Sequence, residues 1–209
     1  MATALAHVTR QMTEDLAAAG VRVKHPGDLT TLEDLPEAAV PVLIRWIEEI
    51  GTADLPDRDR WYLWDTVARA LSVRAARPDA GPALVRLFRD PRLPEGYKWT
   101  VGNALDQVAD AALLDEMIEL ATDRSHRGAR QMVVQALGRI GKGPRREEVI
   151  DVLIGELDDD DVVAFAITAL MKLKATRAVE QISRHVDSPV PIAKKAARIA
   201  VAKLGGSGA

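Results

Sequence analysis

Apolar residues recur every three or four positions along most of the chain, which is the spacing of one face of an α-helix. The stretch EEVIDVLIGELDD shows this pattern with Val149, Leu153, Ile154 and Leu157. Four further stretches share it: EAAVPVLIRWIEEI, AGPALVRLFRD, ALLDEMIELATD and ATRAVEQISRHVD. Each is followed by a second amphipathic stretch, so the pattern predicts consecutive pairs of helices.

The second stretches of these pairs are related to one another. Aligning VARALSV, VGNALDQV, VVQALGRI, AITALMKL and ARIAVAKL places an alanine in register at Ala70, Ala104, Ala136, Ala169 and Ala200. Neighbouring alanines are roughly 30 to 35 residues apart, a period that suits one helical hairpin per repeat. Prolines stand at or near the predicted helix starts, where a missing amide donor is tolerated: Pro36, Pro82, Pro144 and Pro189. The sequence therefore predicts about five helical hairpins between residues 36 and 204.

Residues 1–35 do not fit the repeat. Their apolar residues are Leu5, Val8, Met12 and Leu16, in a helix predicted over about residues 4–19, and Leu29, Leu32 and Leu35, in a loop that we expect to return to the core. A stack of repeats exposes the apolar side of its terminal repeat unless another segment covers it, so we interpret residues 1–35 as an N-terminal helical cap. Residues 205–209, GGSGA, have the composition of a flexible tail.

The segments RQMVVQALGRIG, VVAFAITALMKLK and EEVIDVLIGELDD resemble the HEAT-repeat superfamily. Within it they are similar to short bacterial HEAT repeat proteins whose repeats are of the phycobilisome-lyase type. The resemblance covers residues 36–204 and implies an all-α, right-handed α-solenoid whose second helices line a concave groove. The superfamily includes scaffolds, immunity-type proteins, chromophore lyases and DNA-repair enzymes, so the resemblance is specific for the fold and not for the function.

Composition narrows the classes of function. The net charge of -3 and pI near 5.8 argue against a dedicated phosphate-backbone binder, so we expect no nucleic-acid partner. The chain has no cysteine, which excludes disulfides, thiolate metal sites and thiol nucleophiles. It has neither a secretory signal pattern nor an apolar run long enough to span a bilayer. We therefore expect a cytoplasmic, monomeric protein that does not contact membranes.

A line of residues follows the second helices on the side opposite their core face. Counted from the aligned alanine, positions 5 and 1 before it and position 2 after it share one side of the helix. These positions hold Asp65, Arg69 and Ser72; Trp99, Asn103 and Asp106; Gln131, Gln135 and Gly138; and Ala164, Thr168 and Met171. Position 6 before the alanine adds Trp64, Lys98, Arg130 and Lys194 at the margin. The resemblance implies that both sets lie in the groove.

We expect a partner-binding surface in the middle of this groove. An exposed tryptophan among charged and hydrogen-bonding side chains has the composition of an interaction hot spot. The predicted partner-binding residues are Trp64, Asp65, Arg69, Lys98, Trp99, Asn103, Asp106, Arg127, Arg130, Gln131 and Gln135. We expect Glu119 and Glu156 to lie on the outer surface, away from this site. The alternative is that Trp64 and Trp99 fold back onto neighbouring repeats and are buried.

Opposite charges form two adjacent blocks. The cations Arg124, Arg127, Arg130, Arg139, Lys142, Arg145 and Arg146 are followed by the acids Glu147, Glu148, Asp151, Glu156 and Asp158 to Asp161. We interpret them as solvated ion pairs and helix caps, with Asp160 or Asp161 near the next helix start; a basic end of the groove is the alternative. The aspartate run lacks the ligand spacing of an EF-hand, and the four histidines are far apart, so we expect no metal site.

These features lead to one main hypothesis and two alternatives. The main hypothesis is a non-enzymatic scaffold that binds a protein or peptide in the groove, without a cofactor or catalytic residues. The first alternative is a DNA glycosylase of HEAT-like fold, which would use Trp64, Asp65, Trp99 and Asp106 around a cationic base. The second alternative is a small-molecule or chromophore lyase, which would need a deep apolar pocket in place of a polar surface.

Overall fold

The computed structural model describes residues 2–32 and 34–206, with the side chains of residues 2 and 3 left aside. These residues form helices, turns and loops and contain no strand. The protein is therefore all-α, as the sequence predicts. It is organised in two compact units, Met1–Val108 and Ala109–Ala209. The predicted boundaries at residues 35/36 and 204/205 stay predictions.

Helices of the first unit pack in pairs. Its α-helices, within the described residues, are α1 (Ala2–Ala18), α2 (Ala39–Thr52), α3 (Asp57–Ala70), α4 (Gly81–Arg89) and α5 (Glu95–Val108). Short 3-10 helices occupy Pro26–Thr31 and Arg74–Ala76. α2 packs against α3 and α4 packs against α5, while α3 also packs against α5. The second helix of one pair thus contacts the second helix of the next.

The second unit repeats this arrangement. Its α-helices are α6 (Leu114–Thr122), α7 (Gln131–Ile140), α8 (Arg146–Gly155), α9 (Val163–Lys172), α10 (Val179–Ser183) and α11 (Pro191–Gly205). Its 3-10 helices are Ala111–Leu113, Arg124–Arg130, Glu156–Asp158 and Thr176–Ala178. The pairs are α6 with α7, α8 with α9 and α10 with α11, and the second helices pack in the order α7, α9, α11.

Most apolar residues of the N-terminal segment that were expected in the core are buried against α2 and α3. α1 packs on α2 through buried Val8, Met12 and Leu16. The 3-10 helix Pro26–Thr31 packs on α3 and buries Leu29. The prediction for Leu32 is wrong, since 37% of its surface is exposed. The 3-10 helix ends at Thr31 and the backbone of Leu32 is extended, which carries its side chain away from the core.

The aligned alanines form the centre of the helix packing. Ala70, Ala104, Ala136, Ala169 and Ala200 are all buried. The predicted core positions around them are also buried, namely Leu63, Val67, Leu71, Val101, Leu105, Val108, Val133, Leu137 and Ile140, while Tyr97 is half-buried. The register that the repeat alignment assigns to the second helices is therefore confirmed at the core.

α7 and α9 approach each other closely at Gly138. A Cβ placed on Gly138 would lie 2.6 Å from the Cα of Ala169 and 2.9 Å from its carbonyl oxygen. Glycine is needed here because the neighbouring atoms belong to backbone, which cannot rotate away. The expectation that Gly138 lies on the outward line is wrong, since it is buried at this contact.

Side-chain hydrogen bonds join successive hairpins within each unit. In the first unit they link Trp61 to Arg92, Arg69 to Thr100, and Asn103 to Ser72, residues 31 apart in the chain. In the second unit they link Gln131 to Asp161, Arg139 to Ala109, and Arg177 to Glu147, residues 30 apart. The spacing of these side-chain bonds thus lies within the roughly 30 to 35 residues of one repeat.

Candidate functional site

A pocket of about 300 Å³ lies beside Trp99 in the first unit. Three parts of the unit form it: the segment around the first 3-10 helix, the C-terminal end of α3, and α5. Its lining residues are Leu29, Thr30, Leu32, Leu35, Arg69, Ala70, Ser72, Val73, Trp99, Thr100 and Asn103. Trp99 and Asn103 are four residues apart in α5, so both side chains lie on the same side of that helix.

The polar wall of the pocket is held by hydrogen bonds between α3 and α5. The amide of Asn103 donates to the hydroxyl of Ser72 across 3.3 Å. Arg69 donates through Nε to the Asp65 carboxylate at 2.7 Å and through Nη2 to the Thr100 hydroxyl at 3.4 Å. These contacts fix the positions of a guanidinium, an amide and two hydroxyls. Because these polar groups are already held in place, they would lose little conformational entropy on hydrogen-bonding to a ligand.

The apolar wall of the pocket consists of exposed hydrophobic side chains. Trp99 is 41% exposed, and Leu32 reaches the same pocket from the N-terminal segment. The buried Leu29 also lines the pocket. Large aromatic side chains next to fixed polar groups are the usual composition of an interaction hot spot. Of the predicted residues, Arg69, Trp99 and Asn103 line this pocket, and Asp65 holds Arg69 in place.

The predicted site does not include the pocket residues that come from the N-terminal segment. The sequence analysis places Leu29, Leu32 and Leu35 in the core and indicates no role for Thr30. Helical periodicity places residues of one helix relative to each other, but it does not show where a loop before the repeats lies. The available signal was Leu32 itself, an apolar residue between polar neighbours in TTLED.

Three residues at position 6 before the aligned alanine are buried, contrary to the expectation that they line the groove margin. Trp64 is 1% exposed, Lys98 8% and Arg130 0%. Counted back from the aligned alanine, position 6 is the next residue in the chain after position 7, which is a core position. A long side chain at position 6 can therefore turn towards the neighbouring first helix. These three side chains contribute to packing inside their units and present little surface to a partner.

The indole of Trp64 is a core group with a specific partner. Its Nε1 donates to the carbonyl oxygen of Ile47 in α2 across 2.9 Å. The guanidinium of Arg92 lies 5.3 Å from the ring centroid and that of Arg60 lies 5.8 Å from it, in cation–π geometry. The alternative of burial is thus correct for Trp64, whereas Trp99 is exposed.

Arg130 forms a buried ion-pair cluster in the second unit. Its Nη1 donates to Glu156 Oε2 at 2.7 Å and to the Ala121 carbonyl at 2.6 Å, and its Nη2 donates to Asp159 Oδ2 at 2.5 Å. Glu156 is itself buried, so the expectation that it lies on the outer surface is wrong. The cluster connects the end of α6 to the segment before α9 and leaves Arg130 no role on the surface.

The other predicted residues of the second unit are more accessible. Arg127 is exposed and has φ 48° and ψ −133°, a conformation that L-residues rarely adopt. Gln135 is half-buried, as is Gln131, which donates to the carbonyl oxygen of Asp161 across 3.0 Å. In the first unit Asp106 is 8% exposed, so it is not on the open face where it was expected.

Members of the two charge blocks form ion pairs within the second unit, with each other and with Asp115 and Arg177. Arg145 donates to Glu148 at 2.6 Å and to Asp115 at 2.5 Å, and Arg177 pairs with Asp151 at 2.7 Å. The hydrogen bond from Arg145 is the main cause that lowers the pKa of the Glu148 carboxyl below its ordinary value. The interpretation of these charges as solvated ion pairs is confirmed for these residues.

In the aspartate run, the residue that orders the turn before α9 is Asp159, which precedes the predicted Asp160 and Asp161. Asp159 Oδ1 accepts from the backbone amide of Asp161 at 2.9 Å, which fixes the turn before α9. The N-cap of α9 is Val162, and no side chain caps it. The prediction that Asp160 or Asp161 caps this helix is therefore wrong, and Asp159 instead orders the turn.

Two further kinds of site, a metal centre and a membrane span, are absent from the residues that the structure describes. Among residues 2–32 and 34–206, no group of three or more histidine, aspartate or glutamate side chains is arranged to hold a metal ion. No helix in the same ranges has the length and apolarity that a bilayer crossing requires. No protein-family model, curated protein or solved structure matches the chain.

Proposed function

We propose that this protein is a non-catalytic interaction scaffold that binds a protein or peptide partner through the pocket beside Trp99. The observation that carries the proposal is the exposed indole of Trp99, which shares one pocket with Arg69, Ser72 and Asn103. An aromatic anchor can bury apolar surface against a partner while the polar groups hydrogen-bond to its backbone. In many interfaces a few such residues carry most of the binding energy.

We further propose that the chain is a right-handed α-solenoid of about five HEAT-like hairpins with an N-terminal helical cap. The paired helices of each unit support this proposal, as do the buried alanines and the hydrogen bonds between residues 30 or 31 apart. In such folds each repeat contacts its neighbours, and the repeated helices offer an extended surface to partners.

The two alternative functions receive less support. A glycosylase would need Trp64 and Asp106 open to a base, and both side chains are buried. A chromophore lyase would need a deep apolar pocket at the predicted site residues, whereas the pocket that Arg69, Trp99 and Asn103 line measures about 300 Å³ and has a polar wall. Ligand pockets for small molecules range from about 300 to 1,000 Å³, so this pocket lies at the small end. A short peptide segment suits it better.

The test is a selection of random displayed peptides on the immobilised protein, followed by titration of the enriched peptides against purified variants. We expect Trp99→Ala to weaken their binding by about 30-fold, the equivalent of about 2 kcal/mol for an interface anchor. Ile199→Ala is the matched control, because Ile199 in α11 is 40% exposed and lies outside the pocket. It should leave binding unchanged.

Two results would contradict the proposal. The first is that no peptide is enriched over an uncoated surface. The second is that enriched peptides bind Trp99→Ala as tightly as the wild type. Melting temperatures of both variants, measured in the same buffer, distinguish a lost contact from a lost fold.

A further inference from the structure

The second unit contains a larger cavity, of about 650 Å³, at the C-terminal ends of α9 and α11. It is lined by Met171, Lys172, Lys174, Thr176, Lys203 and Leu204. Leu204 is buried and Met171 half-buried, so the floor is apolar. Three lysines and a threonine surround this floor, and the lining includes no carboxylate among the described residues. The volume lies within the range of small-molecule sites.

Two of the lysines have charges that nothing in the described part of the protein neutralises. Lys172 and Lys174 are both exposed, and neither forms an ion pair with a described residue. Elsewhere in this unit exposed arginines pair with acids at 2.5 to 3.0 Å, as Arg145 and Arg177 do. The cavity is therefore a local excess of positive charge in a chain of net charge -3.

The backbone at Lys174 has a conformation that favours glycine. Its φ is +53°, and the amide of Ala175 donates to the Leu170 carbonyl while that of Lys174 donates to the Met171 carbonyl. This is the Schellman arrangement, in which the left-handed position is most often glycine. A lysine here retains a side chain at a steric cost.

Capping of α9 does not explain that lysine. A cation near a helix C-terminus is favourable because the last carbonyls carry partial negative charge. At α9 another residue already meets this need, since Arg146 Nη2 donates to the Leu173 carbonyl at 2.7 Å and to the Lys174 carbonyl at 3.2 Å. The ammonium groups of Lys172 and Lys174 therefore remain available beside the cavity.

We propose that this cavity binds a small amphiphilic anion, a carboxylate attached to an apolar body. The apolar body would lie on Met171 and Leu204, and the carboxylate would accept hydrogen bonds from Lys174, Lys172 and the Thr176 hydroxyl. Ion pairs at an exposed site are weak alone. In this cavity the ligand would also make an apolar contact, which an ion pair on an open surface lacks. This site is separate from the Trp99 pocket and does not depend on the proposed function.

The test compares 4-phenylbutanoate with 4-phenylbutanol, which share one apolar body and differ in charge. Both are titrated into the full chain and followed by the backbone amide signals in ¹H–¹⁵N NMR spectra. We expect the anion to bind about tenfold more tightly than the alcohol. The largest shifts should be at Lys172, Lys174 and Thr176.

The variant Lys174→Gly separates binding from folding. It removes the ammonium group and also the strain at positive φ, so the melting temperature should stay the same or rise. Binding of the anion should weaken about tenfold, and Lys172→Gln should weaken it similarly. Lys195→Gln is the control, because this exposed lysine of α11 lies outside the cavity.

Several outcomes would overturn the proposal. These are equal affinity for acid and alcohol, absence of binding by the acid at millimolar concentration, and shifts confined to residues outside the cavity. Unchanged binding by Lys174→Gly would overturn it as well. Binding that the alcohol shares would show an apolar cavity that does not recognise charge.

Discussion

Arg130 Nη1 lies 2.7 Å from Glu156 Oε2, and both side chains are buried. Asp159 completes the cluster at 2.5 Å from Arg130 Nη2. Ions withdrawn from water depend on each other, because each compensates the desolvation of its partner. Loss of one member therefore leaves the remaining charges buried and uncompensated.

The variant Arg130→Met should consequently lower the free energy of unfolding by about 3 to 5 kcal/mol. Chemical denaturation monitored by circular dichroism measures this loss. Arg145→Met is the matched comparison, since Arg145 is in two ion pairs but is exposed to solvent. Its effect should be much smaller. Equal losses for the two variants would show that burial of the Arg130 pair is not decisive.

The contact between Gly138 and Ala169 gives a second prediction. Gly138→Ala should destabilise the protein by about 1 to 3 kcal/mol, because the new methyl group meets backbone atoms at 2.6 to 2.9 Å. Ala136→Leu, at a buried alanine of the same helix, should cost a similar amount. The control Gly155→Ala has no atom within 4 Å of its Cβ and should be neutral or stabilising. Thermal denaturation of the three variants would compare them directly.

The two tryptophans of the predicted site should differ in their effect on stability. Trp64→Ala removes a buried indole and its hydrogen bond to Ile47, and should cost about 3 to 5 kcal/mol. Trp99→Ala should cost no more than about 1 to 2 kcal/mol, because a large part of that side chain is exposed already. Urea titrations give both values. A loss at Trp99 as large as that at Trp64 would mean that Trp99 is a structural residue.

A fourth prediction concerns Asp28, whose carboxylate accepts from the amides of His25 and Lys24, each at 3.0 Å. The bond from His25, followed by that from Lys24, lowers the pKa of Asp28 below its ordinary value. A carboxyl whose pKa is lower in the folded than in the unfolded state stabilises the fold fully at pH values above its unfolded-state pKa. That contribution is lost as the pH falls through the folded-state value.

Acidification should therefore loosen the 3-10 helix Pro26–Thr31, which carries Leu29 and Thr30 to the Trp99 pocket. Hydrogen exchange of the His25 and Lys24 amides should accelerate, relative to the intrinsic rates, as Asp28 is protonated. Asp28→Asn removes the titrating group and should abolish this pH dependence. If the variant keeps the same acid response, another carboxyl is responsible.

The sequence predicts the core of the helical pairs well because the core depends on local periodicity. The aligned alanines and the apolar positions around them are three or four residues apart in one helix, so one burial pattern fixes them all. The same register places Trp99 on the open side correctly. Arg69 and Asn103, which it places on the same side, line the pocket beside Trp99.

Positions at the edge of that pattern depend on partners distant in the chain, and there the prediction fails. Trp64 is buried because Ile47 offers a carbonyl and Arg92 covers the ring. Arg130 is buried because Glu156 and Asp159 offer carboxylates. The alignment gives both residues the same position as Lys194, which is half-buried. Whether a residue at this position is buried therefore depends on the partners that the neighbouring segments offer to its side chain.

The side-chain bonds between residues 30 or 31 apart have a consequence for how the chain folds. Each of them closes a loop of one repeat, and the entropy lost on closing a loop rises with its length. Chains dominated by contacts of short sequence separation fold fast. A hairpin and its neighbour can therefore form a nucleus before the rest of their unit is ordered. Because each bond joins two neighbouring hairpins, its loss would leave the bonds between the other hairpins intact.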